Sequence, residues 1–328
     1  MSGPADRLIA RYFDDNDLQA AIASSLLYTG MPPNRLPATQ IIGLLALLEE
    51  GFHLPRGGMG AISDALVSAM EPTSTDLRFG CRVRQILVKN GAVQGVELSS
   101  GEKIAASHVI ATCSGFETAR HLLAANVAPR SLTRKARNAP LSHRAVSIQI
   151  GCTGIVPPES FITCHVPQMS RQAEMHVSKA EEPHWLAYTA PAAMQRELAP
   201  LGAAVIELHA PATGIDHASE WTDFMTDAAL SGYMTVLSRR LPGLSVETLR
   251  VMDPRNYAQD RHLHEGALYG MAPGVPPSAF FPHRTPLVGL YLGGQTTFPG
   301  YGVAPALLSG IQAVEALLRD QGVNAGRL

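Results

Sequence analysis

Apolar positions near the start of the chain recur at helical spacing and then stop at breakers. Leu8, Ile9, Tyr12, Phe13, Leu18 and Ile22 fall in this pattern ahead of Gly30-Met31-Pro32-Pro33, which predicts two short helices within 6–25 and a loop. Further helices are expected over about 38–50, ending at Gly51, and over 61–70, after the turn Arg56-Gly57-Gly58-Met59-Gly60. From Phe79 the period changes to two. A run to Val88, the turn Lys89-Asn90-Gly91, a run over 92–98 and a second turn at Ser99-Ser100-Gly101 predict a three-stranded antiparallel meander. The apolar stretch 106–112 reads as a buried strand returning to a central sheet. Strands are expected over 146–150, 186–189 and 204–209, and a helix over 221–241. The end reads as an apolar run at 287–292, a glycine-rich loop over 293–302 and a helix over 303–319. A strand, a glycine-rich turn and a helix start make a place where backbone N–H groups can meet a phosphate or an electron-rich ring edge.

Composition adds what the pattern cannot. At 328 residues, with 46% hydrophobic and 16% charged positions, the chain can fill the cores of two closely packed domains. Net charge is -2 and the 26 basic residues form no stripe or run, which argues against nucleic acid as a partner. Cys81, Cys113, Cys152 and Cys164 form no C-x-x-C pair. The first two fall in strand-like stretches, and all four are expected to be buried reduced thiols. His262 and His264 flank Leu263 and His283 precedes Arg284, but no carboxylate spacing completes a metal set, so no metal is expected. Asp260 and Glu265 read as loop carboxylates, and no G-x-S-x-G elbow is present. The first residues lack a charged-then-apolar signal pattern, and the stretch 41–48 is too short to span a bilayer, so a cytoplasmic protein is expected. Peripheral contact with a membrane stays open.

Three segments in order carry a family resemblance. They are His53-Leu54-Pro55-Arg56-Gly57-Gly58-Met59-Gly60; Gly80-Cys81-Arg82-Val83-Arg84-Gln85-Ile86 with the meander up to Ile110; and Gly266-Ala267-Leu268-Tyr269-Gly270 through Gly293-Gly294 to Pro299-Gly300-Tyr301-Gly302-Val303. Together they resemble the phytoene desaturases, carotenoid isomerases and related amine-oxidase-like flavoproteins. The resemblance implies a mixed α/β (α+β) chain, an incomplete FAD-binding domain of the GR2 type plus a substrate domain. It implies flavin-domain parts at 52–115 and 250–328 and substrate-domain parts at 1–51 and 116–249. It places Val83 at the adenine edge, and Gly293, Gly294, Gln295, Gly300, Tyr301, Gly302 and Val303 against the isoalloxazine and ribityl side of FAD. Tyr269 is a further candidate beside the substrate. Arg56 reads either as a solvated surface arginine or as a group beside flavin or substrate.

Two departures change the picture. Such flavoproteins begin with a βαβ unit carrying G-x-G-x-x-G and an acidic residue about 20 positions on. The nearest string in these residues, Gly58-Met59-Gly60-Ala61-Ile62-Ser63, follows Pro55 and lacks the strand and acid. Tyr301 stands where many relatives have glycine, so its phenol is expected to crowd or stack on whatever occupies the site. The expectation is therefore a subunit or truncated form of an FAD-dependent desaturase, dehydrogenase or oxidase for an apolar, polyene-like or other natural-product-like molecule. A partner polypeptide, or a second copy, would complete the nucleotide site. A flavin-independent cyclase or isomerase in the vacated pocket, and a non-catalytic homologue, are the alternatives.

Overall fold

The computed structural model describes residues 3–51, 53–165, 185–212 and 214–323, so Phe52, the first residue of the expected flavin-domain part 52–115, lies outside it. In chain order the helices are α1 (Ala5–Ala10), α2 (Asn16–Leu26), α3 (Thr39–Glu50) and α4 (Gly60–Met70). Strands β1 (Val83–Lys89), β2 (Ala92–Leu98), β3 (Lys103–Ala105) and β4 (Val109–Ala111) follow, then the single turn α5 (Gly115–Glu117) and α6 (Arg130–Asn138). Next come β5 (Arg144–Thr153), β6 (Ile162–His165), β7 (Leu186–Thr189), β8 (Ala203–Ala212), α7 (Asp223–Arg240), β9 (Ser245–Met252) and α8 (Pro254–Asp260). The chain continues to β10 (Leu290–Leu292) and α9 (Val303–Asp320).

Two compact units share these elements. Unit 1 takes 1–76 and 143–256; unit 2 takes 77–142 and 257–328. The segment 52–76, grouped with the flavin part on resemblance, thus lies in unit 1 with α4.

Unit 1 is built on an antiparallel sheet of order β6-β7-β8-β5-β9. One face is aliphatic because alternate residues of β5 (Val146, Ile148, Ile150) and β8 (Ile206, Leu208) point the same way, and Tyr233, Val236 and Leu237 of α7 cover them. Helix α7 starts where Thr222 accepts a hydrogen bond from the Met225 amide, and Arg239 and Arg240 sit at its negative end. Trp221 donates to Thr226 Oγ1 (2.9 Å), which donates to the buried Asp253 (2.9 Å) and ties the start of α7 to the end of β9. Helices α1–α3 hold a separate small core of Ala5, Ile9, Ala23, Leu26, Leu36 and Ile41.

His143, just before β5, has its Nδ1 sealed from solvent. Burial, helped by nearby His209, lowers its pKa from 6.5 to about 4. The folded chain therefore refuses a proton that the unfolded chain accepts below pH 6.5. The stabilisation is full above that pH and is lost as pH falls through 4, by up to about 3 kcal/mol. Burial also lowers the pKa of His209, against the opposing pull of Glu207, so it acts in the same direction. Urea unfolding at pH 7 and pH 4.5 is expected to show this loss, and His143→Gln to flatten it; a pH-independent midpoint would remove the account.

Unit 2 contains the predicted meander β1-β2-β3. Its first turn is Asn90-Gly91, both with positive φ (51° and 76°), as a tight hairpin turn requires. Strands β4 and β10 pair in parallel. Ile86, Phe116, Leu132, Met271, Phe281, Leu290 and Leu292 fill the core of this unit. The cysteine reading is corrected here. Cys81 and Cys113 are exposed and lie outside the strands, because β1 begins only at Val83 and β4 ends at Ala111. Cys152 alone is fully buried.

Candidate functional site

In unit 2 two connections leave the carboxyl ends of β4 and β10 side by side, the place where parallel α/β sheets hold ligands. From β4 the chain runs through Thr112 and Cys113 to the Ser114 cap of α5. From β10 it runs through Gly293 to Gly302. Gly294 has a φ of 95°, and a Cβ there would lie 2.8 Å from the Thr112 carbonyl oxygen, so only glycine lets the two connections pass this closely.

Ser309, Thr297 and Thr296, which the sequence reading did not single out, hold the turn together with His283, which it weighed only as a metal ligand. The Gly294 amide donates to Ser309 Oγ (2.8 Å), and the Thr297 hydroxyl donates to the Gly294 carbonyl (2.8 Å). The Gly115 amide donates to the buried Thr296 hydroxyl (2.8 Å). The His283 ring lies between the Leu292 and Phe298 carbonyls, at 3.0 and 2.9 Å. Ser309 gives no local signal: it sits mid-helix, and its role exists only because α9 packs back on the turn.

The turn ends at Gly302, the N-cap of α9, with φ 101° and no side chain to satisfy the first amides. Gly302, Val303 and Ala304 are exposed. An uncapped, accessible helix start is electropositive and suits a phosphate or an electron-rich ring edge. Tyr301 lies against Tyr269, centroids 4.4 Å apart and planes 9° from parallel. Burial raises the pKa of both phenols, Tyr269 to about 12 with added repulsion from Tyr301 and Tyr257, so they are neutral donors. The structure thus brings Gly293, Gly294, Gln295, Gly300, Tyr301, Gly302, Val303 and Tyr269 together in one unit. The Gln295 amide reaches the Leu268 carbonyl at 3.3 Å.

Val83 opens β1, half-buried opposite Leu98 in the meander. Arg56 belongs to unit 1 and is exposed on the turn before α4. That turn is held by Gln195, whose Oε1 accepts from the Gly57 amide (2.9 Å) while its Nε2 donates to the Leu54 and Pro55 carbonyls (3.1 and 2.8 Å). Asp260 is exposed at the end of α8 and Glu265 is half-buried. His264 stacks on Phe116 (4.7 Å) with Arg120 at 3.1 Å, away from any metal-like cluster. Among the described residues no group of three or more His, Cys, Asp or Glu could hold a metal ion, and no helix is long and apolar enough to cross a membrane. A depression of about 390 Å³ in unit 1, lined by Ile155, Ala192, Arg196, Leu201 and neighbours, carries no comparable set of groups.

A parallel strand pair, a meander and a glycine-rich turn into an uncapped helix define a flavoprotein-type fold, and residues 2–318 match the family of flavin containing amine oxidoreductases. The chain belongs to that family. It is similar to hydroxyneurosporene desaturase of Rubrivivax gelatinosus, 28% identical over 338 residues that cover 95% of this chain and 60% of that protein. A 4,4'-diapophytoene desaturase of Staphylococcus aureus is 23% identical over 97% of this chain and 67% of its own length. The chloroplastic prolycopene isomerase of Daucus carota is 24% identical over 83% of this chain and 45% of its own length. The chain therefore spans about half to two thirds of these relatives. Among solved structures, an oxidoreductase from Methanosarcina mazei superimposes with a TM-score of 0.67 at 15% identity, covering 95% of this chain and 68% of that one. Cyclohexylamine oxidase from Brevibacterium oxydans does so with 0.56 at 12% identity, covering 98% and 68%. These two likenesses speak for the fold.

Proposed function

We propose that this chain supplies the substrate domain and the ring-facing half of the flavin site of an FAD-dependent desaturase or oxidase for an apolar polyene-like substrate. In this reading a separate polypeptide supplies the nucleotide-binding half. The observation that carries it is the Gly293–Gly302 connection, a close-approach glycine followed by an uncapped helix start beside the β4 exit. Gly294, Gly302 and Val303 would present backbone to the flavin, while Tyr269 and Tyr301 would wall the substrate side with neutral aromatic surface. Bound FAD would supply the hydride acceptor, its electrons passing on to oxygen or a quinone. The residues of this chain need only orient the substrate and exclude water, which fits the absence of a nucleophile and base arrangement in the sequence. The desaturases and isomerase named above bear carotenoid substrates in their names, which supports the substrate class.

In this reading the affinity of these residues alone can be bounded. A nanomolar cofactor has about -12 kcal/mol of binding free energy. If the ADP half supplies a third of it, this chain alone binds FAD about a thousandfold more weakly. The test is the visible spectrum of the purified chain with FAD, with and without a G-x-G-x-x-G polypeptide. Flavin retained through gel filtration only with the second polypeptide is the expected result. No flavin under either condition would sink the reading. One observation favours a second reading, a flavin-independent cyclase or isomerase: the Tyr269–Tyr301 stack already fills part of the site. Gly300 has a φ of 115°, and a Cβ there would press on the Phe280 ring at 3.1 Å. Turnover that survives Gly300→Ala and flavin removal would select that reading.

A further inference from the structure

We propose that the face of the unit 1 sheet turned away from α7 carries a binding site for the hydroxyl group of an apolar alcohol, held between the His209 ring and the Trp185 indole N–H. The inference concerns unit 1 alone and goes beyond the flavin reading, on which it does not depend.

Strand register builds the site. Val146 and Ile148 of β5 and Ile206 and Leu208 of β8 enter the core under α7, so the residues between them point to the second face. On that face one row crosses the sheet as Cys164, Ala187, His209, Ser147 and Met252, each paired with the next. Ala187, Ser147 and Met252 are buried, whereas Ile162 and Gln149 in the neighbouring row are exposed. His209 stands at the border between the covered row and the open one, with 34% of its side chain exposed. A ligand can therefore reach it without disturbing the sheet.

Two polar groups meet on this face. Trp185 is 7% exposed, and its Nε1 is sealed from solvent with no hydrogen-bond partner. A buried donor without an acceptor is costly and therefore rare, which marks this one as kept for a purpose. Trp185 packs with Ala187 and Cys164, so it lies on the same face as His209. Ala187 is directly opposite His209, which makes Trp185 the diagonal neighbour, at a spacing of about 7–8 Å that aromatic side chains span. The His209 ring has Glu207 Oε1 at 3.8 Å from Nε2, too long for a hydrogen bond, and no described residue bonds it.

The chemistry of the two groups names the ligand atom. Burial lowers the His209 pKa against the pull of Glu207, and the other titratable group beside it, His143, is itself held neutral by burial. The ring is thus neutral at pH 7, with one nitrogen donating and one accepting. Glu207 beside Nε2 favours the proton there and leaves Nδ1 as the acceptor. Indole only donates. One oxygen that accepts from Trp185 and donates to His209 satisfies both, and that oxygen is a hydroxyl. A carboxylate would be repelled by Glu207, and an ether has no proton for Nδ1. Exposed Ile162 offers apolar surface to the rest of the molecule.

The test follows the indole N–H resonances of the isotope-labelled full chain while octanol, heptyl methyl ether (an ether of the same size) or octanoate is added. The chain has two tryptophans, so the spectrum has two such resonances, and Trp185→Phe assigns them. Octanol should move the Trp185 proton downfield and leave that of Trp221, which already donates to Thr226, in place. It should bind about tenfold more tightly than the ether or octanoate, the effect of one hydrogen bond. His209→Leu should bring the alcohol down to the level of the ether; if that variant misfolds, the three ligands on the wild-type chain decide alone. Equal binding of alcohol and ether, a Trp185 resonance that the alcohol does not move, or no binding overturns the proposal. Flavin absorbance separates it from the functional reading. An alcohol site in a chain that retains no flavin with any second polypeptide leaves the proposal standing and removes the flavin reading; retained flavin with no alcohol site does the reverse.

Discussion

Gly294→Ala is expected to destabilise unit 2 by about 3 kcal/mol, combining a left-handed backbone that disfavours a side chain with overpacking of a filled site. The neighbour that a new Cβ would meet at 2.8 Å is the Thr112 carbonyl, part of the backbone. It cannot swing aside as a side-chain end could. Relief requires the β4 and β10 exits to separate, which also breaks the Gly294 bonds to Ser309 and Thr297. Flavin retention in the assembled complex should be lost together with stability. Gly310→Ala is the matched control. It lies on the helix that carries Ser309, a Cβ there meets nothing within 4 Å beyond the helix's own backbone, and alanine in a helix interior gains up to about 1 kcal/mol over glycine. Urea midpoints and the flavin spectrum of the pair check the result; equal midpoints for the two variants would remove the close-approach argument.

Gly30→Ala is the second large effect, in unit 1. Gly30 has a φ of 81°, and a Cβ would fall 1.9 Å from His143 Nδ1 and 2.2 Å from Cε1. The ring cannot stay where it is, and a loss of about 4 kcal/mol is expected from strain and overpacking together. His143→Ala in the same chain makes room, so the double variant should lose less than the sum of the single losses, leaving the backbone strain behind. A coupling of about 2 kcal/mol in that cycle is the expected value. Strict additivity would show that the ring and the glycine do not meet.

Much of this architecture was legible where local chemistry and tertiary structure agree. Asn90-Gly91 set the meander, the run at 186–189 became β7 with the same bounds, and the glycine-rich end became β10, a turn and α9. The residues that failed did so for physical reasons. Strand β9 lies at a sheet edge and is exposed along most of its length, so its alternation carries no burial signal. Strand β6 spans only Ile162–His165. Cys81 and Cys113 looked like strand residues because each adjoins a strand-like run, yet the strands begin or end two residues away. In the candidate site the glycines were readable because their conformational demand is local. Ser309 and Thr296 were not, and neither was Gln195 at the separate 56–60 turn of unit 1, because each acts on backbone that the chain brings near only after folding.

The Tyr269–Tyr301 pair has one more consequence. Two near-parallel phenols 4.4 Å apart couple their electronic transitions, and both of the chain's tryptophans lie in unit 1. The pair thus gives unit 2 an optical signature of its own: a ligand that parts the rings changes the near-ultraviolet circular dichroism directly, so entry can be timed on the unlabelled protein.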